Sequence, residues 1–282
     1  MTLIDRLRLA QRSQLLLAHL VLLAYTALAL FPVVLVVINS VKNRRAIFQT
    51  PYALPNRDTW DLVGYEKVLD NSNFPDYFLN SLIVTVGALI FIMIAGSMAA
   101  WALAEYRFPG NALMGLYMAV GIMIPIRLGT ISILRLVVSL GLADTLTALI
   151  LIYTASGLPL AIFILTQFMR QVPRDLKDAA RVDGASEYRI YAMTLPLIRP
   201  ALGTVAVFNM IPIWNDLWFP LIIAPSEANK TVTLGAQVFL GQFVNDWNAV
   251  LASLTLAMIP VIILYIIFSR QLIRGLTSGA VK

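Results

Sequence analysis

YFLNSLIVTVGALIFIMIAGSMAAWALA, residues 77–104, contains no Asp, Glu, Lys or Arg. A bilayer core about 30 Å thick is crossed by about 20 helical residues at roughly 1.5 Å each. This stretch meets that length with residues to spare. Outward from it, five more stretches read the same way: Ser13 to Val41, the segment between Arg107 and Arg127, Thr145 to Met169, Pro200 to Ala224 (interrupted only at Asp216), and Trp247 to Ser269. The predicted fold is therefore all-α, a polytopic membrane protein with six transmembrane helices in a single domain over residues 1–282. Arg6, Arg8 and Arg12 precede the first stretch as in a signal peptide. Its apolar run exceeds the usual signal core and lacks a clear small-residue cleavage site, so a retained helix is predicted, kinked at Pro32.

Composition excludes a soluble chain. Hydrophobic residues make up 59% and charged residues 13%, against about 45–50% and about 25% in soluble domains. The net charge of +6 would suggest a nucleic-acid partner in a soluble protein. Here it reads as Lys and Arg in cytoplasmic loops, and no nucleic acid is expected. With both termini inside, the inner segments carry three, one, six and three Lys or Arg; the outer ones carry five, two and one. The five cations of the first outer loop, 39–76, face five acids there, and one short helix is predicted near Leu62 to Leu69. The chain has no cysteine, which removes disulfides, thiolate metal sites and a cysteine nucleophile. The one histidine, His19, reads as a packed ring, and no metal site is predicted.

The inner segment 170–199 is unlike the rest. Pro173 suits a helix start and Asp175 favours the dipole there. Gly184 suits a left-handed helix end, and a second short helix runs on to Pro196. Two helices joined at a glycine make a cytoplasmic hairpin. Small residues (Ala179, Ala180, Gly184, Ala185) let another surface approach, and Asp178, Arg181, Asp183, Glu187 and Arg189 rim them.

Asp178-Ala179-Ala180-Arg181-Val182-Asp183-Gly184-Ala185, followed by Tyr191 and Leu195-Pro196, resembles the EAA loop of ABC importer permeases. Asp178 stands in place of the usual Glu and Tyr191 in place of the more common Phe. The resemblance implies a coupling helix docking into a cytoplasmic ATPase subunit, with Asp178, Ala179, Ala180, Asp183, Gly184, Ala185 and Tyr191 as coupling residues. Trp214-Asn215-Asp216 with Pro220, and the tail Arg274 to Lys282, resemble carbohydrate-uptake permeases. The implied assembly holds a second related permease, an ATPase subunit dimer carrying ATP and Mg, and an extracytoplasmic solute-binding protein, in a lipid bilayer of the plasma membrane, the bacterial inner membrane. The chain itself has no Gly-x-x-x-x-Gly-Lys-Ser/Thr pattern, and no cofactor is expected on it.

Asn80, Arg127, Trp214, Asn215 and Asp216 are the candidate substrate path. Each has a plainer reading. Asp216 interrupts an apolar span, where function is the default, or it partners a backbone break at Pro212 or a nearby cation. Arg127 and Arg135 favour an anionic sugar derivative, or they snorkel to headgroups. Asn80, Ser81, Thr85 and Ser97 meet sugar hydroxyls, or hydrogen-bond between helices. The outer loop Glu227 to Asp246, with Gly235, Gly241, Gln242 and Phe243, contacts the binding protein or merely connects spans. Two other classes compete. An ion-coupled secondary transporter needs midplane ionisable groups and often a repeat; Asp216 is the one clear candidate and no repeat is visible. A membrane enzyme needs clustered catalytic groups, which one histidine and no cysteine do not provide.

Overall fold

The computed structural model describes residues 3–70, 73–240 and 246–278. All its regular elements are helices. They are α1 (Leu3–Ser40), α2 (Arg44–Gln49), α3 (Val63–Leu69), α4 (Phe74–Glu105), α5 (Asn111–Met123), α6 (Thr130–Ser139), α7 (Leu146–Gln171), α8 (Arg174–Val182), α9 (Glu187–Leu197), α10 (Arg199–Asn215), α11 (Trp218–Ile223), α12 (Val232–Ala236) and α13 (Trp247–Ser278). Two compact units are present: one of residues up to 72 with 239–256, the other of 73–238 with 257–282.

In the first unit α1 is exposed from Gln14 to Leu30, as a helix in lipid would be. His19 is exposed with it, and its Nδ1 lies 2.6 Å from the Leu15 carbonyl oxygen, so the ring is satisfied locally rather than packed. The loop after α1 holds two helices where one was expected. Asn43 caps α2, its Oδ1 accepting from the Ala46 N–H at 2.9 Å. The expected facing of cations and acids is not what organises this loop. Lys42 is fully buried and donates to Asn39 Oδ1, Thr50 O and Pro51 O at 3.1, 3.0 and 3.3 Å. Burial without a carboxylate holds its ammonium below the usual lysine range. Asn248 donates to the Lys42 carbonyl at 2.7 Å, and Lys67 pairs with Asp246 at 2.5 Å.

In the second unit α4 packs along α7, with α10 against both. Val84, Ala88 and Ile92 of α4 meet Leu149, Ala161 and Leu165 of α7 and Val205 of α10 in one apolar core. Small residues set the spacing. A Cβ added at Gly157 of α7 would run into Asn209 Oδ1 and Ile92 Cδ1. Asn209 cannot swing clear, because its amide donates to the Val205 carbonyl at 2.9 Å. Gly157→Ala is therefore expected to destabilise by about 1–3 kcal/mol through overpacking, despite about 1 kcal/mol of helix propensity gained. A thermal melt of the purified protein checks this, and an unchanged or raised Tm would contradict so close a contact.

Among the described residues four helices are long and apolar enough to cross a membrane: Gln14–Ser40, Phe74–Glu105, Leu146–Gln171 and Trp247–Ile267. Two bent pairs raise the number to six, Asn111–Met123 with Ile126–Ser139 at 84°, and Glu187–Leu197 with Arg199–Asn215 at 75°. The bend of the second pair falls at Ile198, where the hairpin helix α9 meets α10. The helix of the third span stops at Ile124, whose ψ of 117° is the extended conformation forced on a residue before proline. That of the fifth stops at Asp216, not at Pro212, which stays inside α10.

Candidate functional site

The hairpin is α8 and α9. Pro173 is the N-cap of α8 rather than its first helical residue. Gly184 has φ +77°, the Ala185 N–H bonds the Ala180 carbonyl at 2.9 Å, and the Gly184 N–H bonds the Arg181 carbonyl at 3.0 Å. Those two bonds are a Schellman closure, which requires the left-handed conformation that only glycine adopts without strain. Asp178, Ala179, Asp183 and Gly184 are exposed, Ala185 and Tyr191 half-buried, and Ala180 buried. Two apolar side chains stand out at the tip: Val182 is 87% and Tyr188 78% exposed.

The base of the hairpin is fastened to the end of α4. Glu105 accepts from Lys177 at 2.5 Å and from Arg181 at 2.7 Å. Arg181 also donates to Glu187 at 2.9 Å and Asp178 at 2.8 Å, and these carboxylates hold its guanidinium even further above neutrality than usual, Glu187 first. The Lys177 and Glu105 side chains are almost completely buried. Beside them Tyr191 shares a hydrogen bond of 2.7 Å with Ser97 and meets Trp101 edge-on at 6.0 Å. Sequence reasoning found the hairpin and missed its fastening. Glu105 stood one residue past the apolar run, and Lys177 looked like one more loop cation.

A second cluster forms at the break between α10 and α11. Asp216 is buried, and its Oδ1 accepts from Arg127 Nη2 at 3.1 Å and the Trp218 N–H at 3.3 Å. Its Oδ2 accepts from the Tyr153 hydroxyl at 2.8 Å and the Phe219 N–H at 3.1 Å. Four donors converge on one carboxylate, which has about four acceptor positions. Asp216 thus partners both a backbone break and a cation. Arg127 remains 65% exposed with donors to spare, and Trp218 Nε1 donates to Thr130 Oγ1 at 3.0 Å beside it. Tyr153 and Trp218 had no distinguishing sequence signal beyond being polar-tipped aromatics.

The other candidates are spread apart. Asn80 is buried and donates to the Ala228 and Lys230 carbonyls at 2.8 and 3.0 Å, tying down the loop after α11. Ser81 Oγ accepts from the Val232 N–H at 2.8 Å. Trp214 is buried, donates from Nε1 to the Ala257 carbonyl at 3.0 Å and meets Phe78 edge-on at 5.5 Å. Asn215 is exposed, its amide on the Ile211 carbonyl at 2.9 Å. Gly241, Gln242 and Phe243, and the last residues of the tail, lie outside the described residues. Among the described residues no group of three His, Cys, Asp or Glu is placed to hold a metal.

A sequence profile of the family described as "Binding-protein-dependent transport system inner membrane component" matches residues 92–278, a range that contains the hairpin and the Asp216 cluster. The chain belongs to this family. It is a permease subunit of an ABC importer, a transport subunit and not a catalytic one, embedded in a membrane. The permease is 31% identical over 94% of its length to the diacetylchitobiose uptake system permease protein of Streptomyces coelicolor, covering 88% of that protein. It is 37% identical to a putative ABC transporter permease protein of Caldicellulosiruptor over 83% of its length and 88% of the relative's. It is 32% identical to a probable starch degradation products transport system permease protein of Thermoanaerobacterium thermosulfurigenes, over 89% of its length and 91% of the relative's. The fold is that of a chain in the crystal structure of a bacterial ABC transporter involved in the import of the acidic polysaccharide alginate, with TM-score 0.79, 22% identity, and coverage of 93% of this permease and 97% of that chain.

Proposed function

We propose that this permease carries a sugar or sugar derivative and forms half of the translocation path beside a second related permease. A dimer of ATPase subunits holds the ATP and Mg and drives it, and this chain has no nucleotide site of its own. An extracytoplasmic solute-binding protein delivers the sugar. Residues 1–282 act as one permease domain in the plasma membrane, the bacterial inner membrane, with both termini and residues 170–199 in the cytoplasm. The carbohydrate names of the relatives from Streptomyces coelicolor and Thermoanaerobacterium thermosulfurigenes support the substrate class.

One observation carries the coupling role: the hairpin offers a bare tip and an anchored base. Ala179, Val182, Asp183, Gly184 and Tyr188 face outward for the ATPase. Asp178 stays on Arg181, while Ala180, Ala185 and Tyr191 pack inward. A push on the tip is passed through Lys177, Arg181 and Tyr191 to Glu105 and Ser97, and so to α4. On the substrate side, Arg127 and Asn215 present exposed polar groups, and Asp216, Trp214 and Asn80 hold the surrounding backbone in place. The Arg127 charge is balanced by Asp216, which suits a hydroxyl-rich ligand and tempers the preference for an anionic one.

The test uses Gly184 in the assembled transporter. A Cβ there meets nothing within 4 Å, so substitution acts through φ alone within this chain. Gly184→Val forces a left-handed β-branched residue, a strain of about 1–2 kcal/mol plus loss of the close approach. Gly184→Asn tolerates that conformation. ATP-driven uptake in proteoliposomes should fall severely in the valine variant and remain in part in the asparagine one. Full uptake in Gly184→Val would sink the coupling role. A calorimetric screen of the co-purifying binding protein names the sugar, and finding no carbohydrate ligand would sink the substrate class.

A further inference from the structure

The hairpin also borders a cavity. The end of α4, the start of α5, the end of α7 and α8 surround its volume of about 1110 Å³. Five cations line it, Arg107, Arg170, Arg174, Lys177 and Arg181, against two acids, Glu105 and Asp178. Lys177 and Arg181 are committed to those acids. Arg107, Arg170 and Arg174 enter no ion pair among the described residues, and Arg170 donates once, to the Leu103 carbonyl at 3.2 Å. All three are exposed. Gly110, Asn111, Ala112 and Leu113, the cap and first turn of α5, also face the cavity, and that turn contains no acid. Three surplus cations and an uncompensated helix start leave a strongly positive hollow.

The hollow does not end there. A groove of about 320 Å³ runs on between α5 and α7 and shares Leu103, Asn111, Ala112 and Arg170 with it. The rest of its lining is Gly115, Met118, Ile162 and Phe163 together with Thr166, whose hydroxyl is spent on the Ile162 carbonyl at 2.6 Å, and Gln167. A cationic chamber continuous with an apolar slot matches a molecule with a phosphate at one end and a hydrocarbon chain at the other. Free phosphate uses only the chamber.

We propose that this cavity and groove seat one anionic phospholipid, its phosphate on Arg107, Arg170 and Arg174 and an acyl chain between α5 and α7. The site rests on the reading that residues 170–199 lie at the cytoplasmic membrane surface, where anionic lipids meet basic pockets between helices. Because α8 forms one wall, the lipid braces the hairpin against α5 and α7.

The experiment is native mass spectrometry of the intact transporter, purified and equilibrated with equal phosphatidylglycerol and phosphatidylethanolamine. Wild type is expected to retain one phosphatidylglycerol preferentially. Each of Arg107→Gln, Arg170→Gln and Arg174→Gln should lower that preference about fivefold, the equivalent of about 1 kcal/mol per cation. Gly115→Phe, at a position where a Cβ meets nothing within 4 Å, should block the slot and reduce retention with the arginines intact. Control variants Arg44→Gln and Arg57→Gln should leave it unchanged. Inorganic phosphate at tens of millimolar should not displace the lipid; displacement, with Gly115→Phe silent, would assign the site to free phosphate and overturn the proposal. Equal retention in wild type and the arginine variants would overturn it too. Lipid retention is read without turnover, so its failure is separable from a failure of sugar uptake, which proteoliposome transport measures independently.

Discussion

Glu105→Ala is expected to lower the stability of the permease by about 3–5 kcal/mol, because it strands a buried ammonium without its partner. Lys177 Nζ has Glu105 at 2.5 Å and sits 5.7 Å from the centre of the Trp101 ring. The aromatic face returns only about 1–2 kcal/mol of cation–π attraction, which does not replace a carboxylate. Arg181 loses one of three acids but keeps Glu187 and Asp178, and it is one-third exposed, so its loss is smaller. The charge on Lys177 is then the source of the damage. Glu105→Leu with Lys177→Met should recover most of the melting temperature, since an apolar pair of similar volume is often as stable as a buried ion pair. It should not recover coupling, because the hairpin keeps its shape but loses the polar fastening to α4. Melting temperature and ATP-driven uptake, measured on the single and double variants, separate the two effects. A Glu105→Ala protein that melts like wild type would mean that the pair adds nothing to the hairpin's hold.

The sequence reading reached some of this and not the rest, for physical reasons that can be traced to residues. Apolar runs at bilayer length are a one-dimensional signal, so α1, α4, α7 and α13 were legible as long helices. Gly184 was legible because a helix end in the left-handed region needs glycine whatever surrounds it. The breaks in the third and fifth spans were harder. Pro125 stands beyond α5 and could have been read as its terminator, whereas Pro212 invited a break and got none: α10 simply runs through it. Asp216 ended that helix instead, by offering its carboxylate to the Trp218 and Phe219 N–H groups, a local choice settled by Tyr153 and Arg127 from distant parts of the chain. Lys42 shows the same limit. Five cations beside five acids suggest pairing, yet the fold buries Lys42 on three oxygens that carry no formal charge. Pairing across many residues is a property of the packed chain, and charge counts along the sequence do not contain it.

Asp216→Ala is expected to be the most damaging single change on the substrate side. It removes the acceptor of four donors at once. The Tyr153 hydroxyl and the Phe219 N–H are buried at their contacts with it, and each buried donor left unpaired costs about 1–3 kcal/mol. Exposed Arg127 loses little, because water takes over its Nη2. The expected total is a few kcal/mol, with α11 released from the end of α10. Asp216→Asn is the informative companion. Its carbonyl can still accept from two donors, while its amide offers hydrogens where the other two donors already point. Part of the stability should remain, and the surviving protein can be assayed. An ion-coupled transporter needs this carboxylate to take up and release a cation in each cycle, but four donors already occupy it. Uptake by the asparagine variant should therefore fall together with thermal stability, stay dependent on ATP, and show no added sensitivity to collapse of a proton or sodium gradient. If Asp216→Asn were instead well folded, bound its ATPase normally and lost only gradient-dependent uptake, the carboxylate would be a coupling-ion site and ATP-driven import the wrong mechanism.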